Sequence, residues 1–179
     1  MIDELKKMLE SYQQKYPDES SLAERFRGLL ENSPDPGSRY NFQPGHLTAS
    51  AFVLSPDKKS LLLLKHKKLG KWLQPGGHLD GKSSLWAEAA RETFEETGVK
   101  LAPRLNQDIF DLDIHVIPGK ASEPKHEHFD VRFLMTAITE EINPCLSETD
   151  GVRYVLLEEV GKYTAEESIL RPVRKIKVV

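Results

Sequence analysis

Two segments in the second half of the chain, residues 109–116 and 126–135, alternate between apolar and polar side chains. Side chains of a β-strand point alternately to opposite faces of a sheet, so each segment predicts a strand with one apolar and one polar face. The stretch between them contains Pro118, Gly119 and Pro124, which favour a turn and therefore an antiparallel hairpin. The polar faces of this hairpin carry seven residues: Asp111, Asp113, His115, His126, His128, Asp130 and Arg132.

Further strands and helices are predicted around this hairpin. Apolar residues recur at helical spacing within residues 2–31, where Pro17 is expected to start a second helix. A last helix is predicted near residues 165–177, and β-like segments are found at residues 47–54, 61–64 and 152–157. The mixture of elements predicts an α/β fold of the α+β type.

Residues 32–45 contain three prolines and two glycines, which predicts an irregular linker. We therefore expect a helical N-terminal arm with its linker over residues 1–44, and a main domain that includes the C-terminal helix over residues 45–179. The arm is a candidate for dimerisation, so a homodimer is one expectation. It is equally a candidate for covering the active site or for packing on the domain.

Composition excludes several classes of function. The formal net charge of −3 argues against general nucleic-acid binding, which usually requires a basic excess. No apolar run approaches the roughly 20 residues needed to cross a bilayer, so no membrane association is expected. The single cysteine, Cys145, forms no internal disulfide and favours a reducing compartment. The sequence thus predicts a cytoplasmic protein.

Residues 84–97 predict an amphipathic helix, with Ser83 or Ser84 as its N-cap and Gly98 beyond its C-terminus. At about 100° per residue, one side is mainly apolar and the other carries four acids: Glu88, Glu92, Glu95 and Glu96. Like charges at this spacing repel one another, whereas Mg²⁺ prefers such oxygen ligands and bridges them to substrate phosphates. A solvated acidic face is the alternative. The pair Gly76–Gly77 upstream and Arg91 beside the acids favour the metal site.

Residues 77–99, GHLDGKSSLWAEAARETFEETGV, resemble the Nudix box, whose pattern is G-x5-E-x7-R-E-U-x-E-E-x-G-U with U aliphatic. The following residues match the pattern at the required spacing: Gly77, Arg91, Glu92, Glu95, Glu96, Gly98 and Val99. Similarity to the wider Nudix domain extends over about residues 45–160. The resemblance implies an α/β/α sandwich with a mixed central sheet.

The resemblance also implies an activity. Nudix enzymes hydrolyse a nucleoside diphosphate linked to another moiety, by attack of water at phosphorus, so the expected partner is such a small molecule, of an ADP-ribose-like or nucleotide-sugar class. The implied ligands of one to three Mg²⁺ or Mn²⁺ ions are Glu92, Glu95, Glu96 and the carbonyl of Gly76. The implied catalytic residues are Arg91, Glu95, Glu96 and Glu148, with Glu96 or Glu148 as the general base.

One departure from the pattern concerns Ser83, which stands where the box has its first glutamate. In the family that glutamate chiefly supports the box arginine, so Arg91 lacks its usual partner. Glu88 lies three residues before Arg91 and is the expected substitute. On this interpretation Ser83→Glu preserves or raises activity.

The polar hairpin is predicted to bind the part of the substrate beyond the diphosphate, with Arg132 orienting a phosphate. The predicted substrate-binding residues are Gly77, His78, Lys71, His115, His126, His128, Asp130 and Arg132. The alternatives are an exposed sheet face, or an additional metal bound through histidine nitrogens. His46 and His78 are isolated in the sequence, which is more typical of structural histidines, although His78 follows the glycine pair.

Two other classes of function remain open. Some Nudix-fold proteins are isopentenyl diphosphate isomerases, which depend on a catalytic cysteine, and the sequence places Cys145 poorly for that role. The second is a non-catalytic module for ligand binding or regulation, which would be favoured by loss of the box glutamates. All three REUxEE glutamates are present.

Overall fold

The computed structural model describes residues 1–80, 83–103, 108–121, 123–147 and 149–176. The helices are α1 (Ile2–Lys15), α2 (Ser20–Asn32), α3 (Leu85–Thr97) and α4 (Glu167–Ile176). The strands are β1 (Gly45–Leu54), β2 (Ser60–His66), β3 (Lys71–Leu73), β4 (Gly76–His78), β5 (Asp111–Ile117), β6 (His126–Thr136) and β7 (Thr149–Leu156). Short 3₁₀ turns span Pro17–Glu19 and Val160–Lys162.

The seven strands form one mixed sheet. Its order is β3-β2-β1-β6-β5, with β4 paired to β1 and β7 paired to β2. Strands β1 and β6 run parallel from the pair Gly45–Glu127 to the pair Leu54–Thr136, and the other pairings are antiparallel. The predicted hairpin is confirmed, because β5 pairs with β6 in antiparallel register.

The two faces of the sheet carry different helices. Residues Leu47, Ala49, Ala51 and Val53 of β1 share a buried apolar cluster with side chains of α1, α2 and α3. The alternate residues Phe52 and Leu54 belong to a second cluster with Ile169 and Val173 of α4. Helices therefore cover both faces, and the predicted α/β/α sandwich with a mixed central sheet is confirmed.

The N-terminal arm packs directly on this sheet. Leu5, Leu9 and Phe26 are fully buried, and the ring of Phe26 meets that of Phe129 edge to face at 5.3 Å. The break between the two helices falls at Tyr16 and Pro17, as predicted. The division of the chain at residue 44 stays a prediction. Among the described residues, no helix is long and apolar enough to span a membrane.

Two short strands were not predicted. The segment from Lys71 to His78, for which the sequence analysis predicts no strand, contains β3 and β4, each three residues long. Segments of this length show no measurable periodicity, so their pairing depends on the neighbouring strands. β4 matters for function, because it lies between the carboxylate helix α3 and the centre of the sheet.

Candidate metal and substrate site

Helix α3 is defined by its two ends. The hydroxyl of Ser84 accepts a hydrogen bond from the backbone N–H of Ala87 at 3.3 Å, so Ser84 is the N-cap. At the other end, Gly98 adopts φ +69°, the left-handed conformation that closes a helix. Thr93 is buried on the sheet side, where its hydroxyl donates to the carbonyl of Ala89 at 2.8 Å. This leaves the glutamates on the side that faces β4.

Arg91 connects the glutamates to one another. Its guanidinium donates to Glu88 at 3.0 and 3.1 Å, to Glu92 at 2.9 Å and to Glu95 at 2.7 Å. It also donates to the carbonyl of His78 at 3.2 Å, which ties α3 to β4. Burial alone would lower the pKa of Arg91, but the surrounding carboxylates raise the pKa above its ordinary value. The arginine therefore remains charged and offsets the repulsion among the acids.

Glu88 contacts Arg91, as the sequence suggested, and Ser83 contributes to the same contact. The Glu88 side chain is 2% exposed, and its second oxygen accepts a hydrogen bond from the hydroxyl of Ser83. Burial alone would raise the pKa of Glu88, but the hydrogen bonds from Ser83 and Arg91 outweigh burial and lower the pKa. Ser83 is thus a donor to the carboxylate that supports Arg91. A glutamate at position 83 would bring like charge to Glu88. The effect of Ser83→Glu on activity stays a prediction.

Glu92 and Glu96 converge on the backbone of β4. Glu96 is 8% exposed and accepts a hydrogen bond from the backbone N–H of Gly76 at 2.9 Å. A Cβ atom at Gly77 would lie 2.7 Å from the carboxyl group of Glu92, so a side chain there would displace this flexible carboxylate. Burial raises the pKa of Glu92 above its ordinary value. The carboxylates of Glu96 and Glu92 thus approach the backbone of two successive glycines, Gly76 and Gly77.

Gly76 is constrained from the other side as well. Its φ is +155°, and a Cβ atom there would lie 2.3 Å from the Cβ of Ser50 on β1. Both the conformation and the close approach require glycine.

Glu148, the other predicted general base, lies outside the described residues.

The hairpin residues occupy the face of the sheet opposite α3. The register pairs Asp111 with Arg132, Asp113 with Asp130 and His115 with His128, so the predicted polar residues share one face. The same face receives His46, which pairs with His128, and His78, which pairs with Thr48. Five of the six histidines thus form one group, here called the histidine cluster: His46, His78, His115, His126 and His128.

The rings of the histidine cluster pack against one another. Neighbouring ring centroids are 4.7 to 5.3 Å apart. Burial is the main cause that lowers the pKa of His78 to about 4 and that of His128 to about 2, and it also lowers the pKa of His46. The three imidazoles are therefore neutral at pH 7 and retain one nitrogen lone pair each. His46 and His78 are not isolated, which corrects the sequence interpretation.

Asp130 and Arg132 are buried rather than available to a substrate. Arg132 is 2% exposed, and its guanidinium contacts Asp130 at 2.8 Å, Asp113 at 3.0 Å and Asp111 at 3.3 Å. It also donates to the carbonyl of Ser168 at 2.7 Å, at the start of α4. The alternation correctly predicted one polar face, but α4 covers this part of it. The burial of Arg132 argues against its predicted phosphate contact. This part of the face is not exposed to solvent, whereas the side chain of His115 is 45% exposed.

Asp130, like Arg132, is buried and is hydrogen-bonded to protein groups. It is 3% exposed and accepts hydrogen bonds from Ser50 at 2.7 Å, Thr48 at 3.1 Å and Gln74 at 3.3 Å, in addition to Arg132. All its oxygens are thus occupied by the protein. The remaining predicted binding residue, Lys71, pairs with Glu166 at 2.8 Å, just before α4. This ion pair places Lys71 near the start of the C-terminal helix rather than near the carboxylates of α3.

Sequence reasoning missed two participants, Ser83 as a donor and His46 as a member of the histidine cluster. Ser83 has a local signal, since it precedes the helix and lies five residues before Glu88. No local signal exists for His46, because its neighbour His128 is 82 residues away and the two meet only through the parallel pairing of β1 with β6.

The thiol of Cys145 lies 3.1 Å from the hydroxyl of Ser147, and the backbone N–H of Cys145 donates to the carbonyl of Glu96 at 3.0 Å.

The chain is similar in sequence to a known protein family and to individual members of it. Residues 44–175 match the family model of the NUDIX domain. The phosphatase NudJ of Escherichia coli (strain K12) is 32% identical over 124 residues, which cover 66% of this chain and 72% of NudJ. A probable DHNTP pyrophosphohydrolase of Lactococcus lactis subsp. cremoris (strain MG1363) is 36% identical over 91 residues, or 50% of this chain. The match spans 52% of that protein, about half of its length.

Solved structures share the fold. A hydrolase of the NUDIX family from Clostridium perfringens superposes with a TM-score of 0.55 at 24% identity, over 74% of this chain and 97% of that one. The dihydroneopterin triphosphate pyrophosphohydrolase of E. coli gives a TM-score of 0.54 at 13% identity, over 72% and 92% of the two chains. Together with the box on α3 and the match over residues 44–175, these findings show that the chain belongs to the Nudix hydrolase family.

Proposed function

We propose that this protein is a metal-dependent hydrolase that cleaves the phosphoanhydride bond of a nucleoside diphosphate linked to another moiety. The observation that carries the proposal is the convergence of Glu92, Glu95 and Glu96 around Arg91 and the backbone of Gly76 and Gly77. The names of the relatives, a phosphatase and a pyrophosphohydrolase, support phosphoanhydride chemistry. An ADP-ribose-like or nucleotide-sugar substrate is the finer part of the proposal.

The donor set fits Mg²⁺ or Mn²⁺. Carboxylate and carbonyl oxygens are the ligands that these ions prefer, and Glu92, Glu95, Glu96 and the carbonyl of Gly76 supply them. Glu92 approaches the backbone of Gly77 so closely that a side chain there would displace the carboxylate, which is the arrangement expected where backbone and carboxylate share a ligand. When bound, the ion neutralises the negative charge of the phosphates and of the developing transition state.

The residues of the chain then have separable tasks. Arg91 keeps Glu92 and Glu95 oriented by direct hydrogen bonds, and Ser83 and Glu88 hold Arg91 in place. Glu96 is proposed as the general base that accepts a proton from the attacking water. His78 directly follows the glycine pair, but its side chain lies on the face opposite α3. The proposal therefore requires the group beyond the diphosphate to reach around β4 to that face, where His115, His126 and His128 would contact it.

The test is a panel of nucleoside diphosphate derivatives assayed with Mg²⁺ and with Mn²⁺, with products identified by mass. We expect metal-dependent cleavage within the diphosphate, and Glu95→Gln should reduce it by about 10²-fold or more while the circular dichroism spectrum is retained. Glu24→Gln, an exposed glutamate on α2, is the matched control and should keep wild-type turnover. Equal turnover of wild type and Glu95→Gln would exclude the proposed site.

Cys145→Ser separates the hydrolase from an isomerase-like reaction. A hydrolase should keep its turnover in this variant, because the thiol contacts Ser147 rather than the carboxylates. Conversion of isopentenyl diphosphate by the wild type, abolished in Cys145→Ser, would instead establish the isomerase alternative.

A further inference from the structure

Three members of the histidine cluster come from three neighbouring strands. His46 lies on β1, His78 on β4 and His128 on β6, and β1 is paired with both other strands. One ring nitrogen from each residue can be chosen so that all three lie within 4.8 Å of one another. Sheet pairing therefore brings together three imidazole nitrogens that are far apart in the sequence.

His46 is oriented toward this group and needs a partner there. Its Nδ1 lies 3.1 Å from the carbonyl of Asn41, so Nδ1 carries the proton and donates it. This leaves the lone pair on Nε2, which is buried and has no hydrogen-bond partner among the described residues. The whole residue is 1% exposed. A buried acceptor without a partner is costly, and metal-binding histidines typically anchor their other nitrogen in this way.

We propose that His46, His78 and His128 bind a transition-metal ion of the Zn²⁺ class at a site separate from the box glutamates. Imidazole nitrogen suits Zn²⁺, Ni²⁺ and Cu²⁺, whereas Mg²⁺ prefers oxygen, so the two sites select different ions. Tetrahedral coordination with bonds of about 2.0–2.1 Å places nitrogens about 3.3 Å apart, so binding requires the three nitrogens to approach one another more closely than their present limit of 4.8 Å. Three protein ligands leave a fourth position open.

The two sites are adjacent along the backbone but lie on different sides of it. Gly77 pairs with Ala49, whose side chain is in the cluster with α3, and the space at Gly77 is filled by Glu92. His78 pairs with Thr48, whose hydroxyl donates to Asp130 on the opposite face. The carboxylates and the histidines are thus independent donor sets. This site goes beyond the proposed hydrolase activity and does not depend on it.

The first experiment uses the full wild-type chain, stripped of metal by a chelator and held in millimolar Mg²⁺ so that the carboxylates are occupied. Isothermal titration with Zn²⁺ should give one bound equivalent, and Co²⁺ should give the intense visible absorption of a tetrahedral site. Long-range ¹H–¹⁵N spectra should show Zn²⁺-dependent shifts of the Nε2 or Nδ1 resonances of His46, His78 and His128, but not of His66. Absence of stoichiometric binding, or shifts confined to His66, would overturn the proposal.

The second experiment uses variants that separate the two donor sets. His128→Ala and His78→Ala should each weaken Zn²⁺ binding by about 100-fold. His66→Ala, the histidine outside the cluster, and Glu95→Gln should bind Zn²⁺ as the wild type does. If His128→Ala and His78→Ala retain wild-type affinity, the histidines are not the ligands. If a variant fails to fold, the wild-type spectra above still decide the question.

Discussion

The carboxylates of α3 and the histidine cluster meet at a single short strand, β4, yet they are assembled in different ways. The carboxylates belong to one helix, and Arg91 joins three of them by hydrogen bonds. The histidines come from different strands, and His46 and His128 are brought together by the parallel pairing of β1 with β6. The first group depends on local helical geometry, whereas the second depends on the register of the sheet.

The two groups also differ in how their charge is handled. In the carboxylate group, Arg91 and Ser83 compensate negative charge, so the acids remain close together before any cation binds. In the histidine cluster, burial lowers the pKa of His46, His78 and His128, which keeps these three rings neutral. Nε2 of His46 has no hydrogen-bond partner among the described residues. The protein itself compensates the charge of the first group, whereas the proposed metal ion would supply the missing partner of the second.

The largest expected effect tests the carboxylate side of this comparison. Glu96→Gln keeps the shape of the side chain but removes its charge and basicity, so we expect hydrolysis to fall by roughly 10³-fold. The loss should appear in kcat, because the proposed role is in the reaction rather than in substrate binding. Steady-state kinetics with Mg²⁺ measure this, and a change confined to KM would contradict the role as base.

The next effect concerns the strand that both groups share. Gly76→Ala introduces a Cβ atom against Ser50 at a backbone conformation that disfavours it, so we expect the free energy of unfolding to fall by about 3 kcal/mol. Gly77→Ala is the informative comparison, because its Cβ meets the flexible carboxylate of Glu92 rather than a strand. It should keep nearly all the stability and weaken Mg²⁺ binding instead. Urea denaturation and metal titration distinguish the two, and equal destabilisation would contradict this division.

A smaller effect is expected for the histidine side during hydrolysis. His128→Ala, assayed in Mg²⁺ without added transition metal, should raise KM by about tenfold and change kcat little, because the proposed contact is with the distal part of the substrate. His66→Ala is the matched control and should leave both constants unchanged. A drop in kcat with constant KM would place His128 among the groups that act on the phosphate.

The smallest effect tests the support of Arg91. Ser83→Ala removes one hydrogen bond to Glu88 and should lower the free energy of unfolding by about 1 kcal/mol at pH 7. The pKa of Glu88 is lowered in the folded protein, so this stabilisation is complete above the ordinary pKa of 4.5 and is lost as the pH falls through the folded value. The difference between wild type and variant should therefore shrink in acid.

Ser83→Glu extends the same test. A second carboxylate beside Glu88 should lower the melting temperature relative to Ser83→Ala, because the added charge is repelled rather than compensated. If Ser83→Glu is instead more active and more stable than the wild type, the new carboxylate pairs with Arg91. In that case the support that Ser83 and Glu88 give to Arg91 can be replaced. Thermal melts of the three proteins at one pH provide the comparison.

The sequence alone was sufficient for the features that depend on local geometry. Helix α3, a serine cap at its start and its terminal Gly98 follow from periodicity and from residue preference within one segment, and the structure identifies Ser84 rather than Ser83 as the cap. The alternating strands β5 and β6 and their hairpin follow for the same reason. The box is also local, since its residues lie within 23 consecutive positions. These features need no knowledge of what packs against them.

Other features were decided only by the tertiary structure. Periodicity indicates that Asp130 and Arg132 share a face, but only the position of α4 shows that this face is buried. Periodicity also cannot show that His46 lies beside His128, because the register of two parallel strands separated by 82 residues is set by the whole sheet. The sequence by itself determined the carboxylate helix and hence the family chemistry. The sheet register and the docking of α4 decided which polar residues form a histidine cluster and which form a buried ionic network.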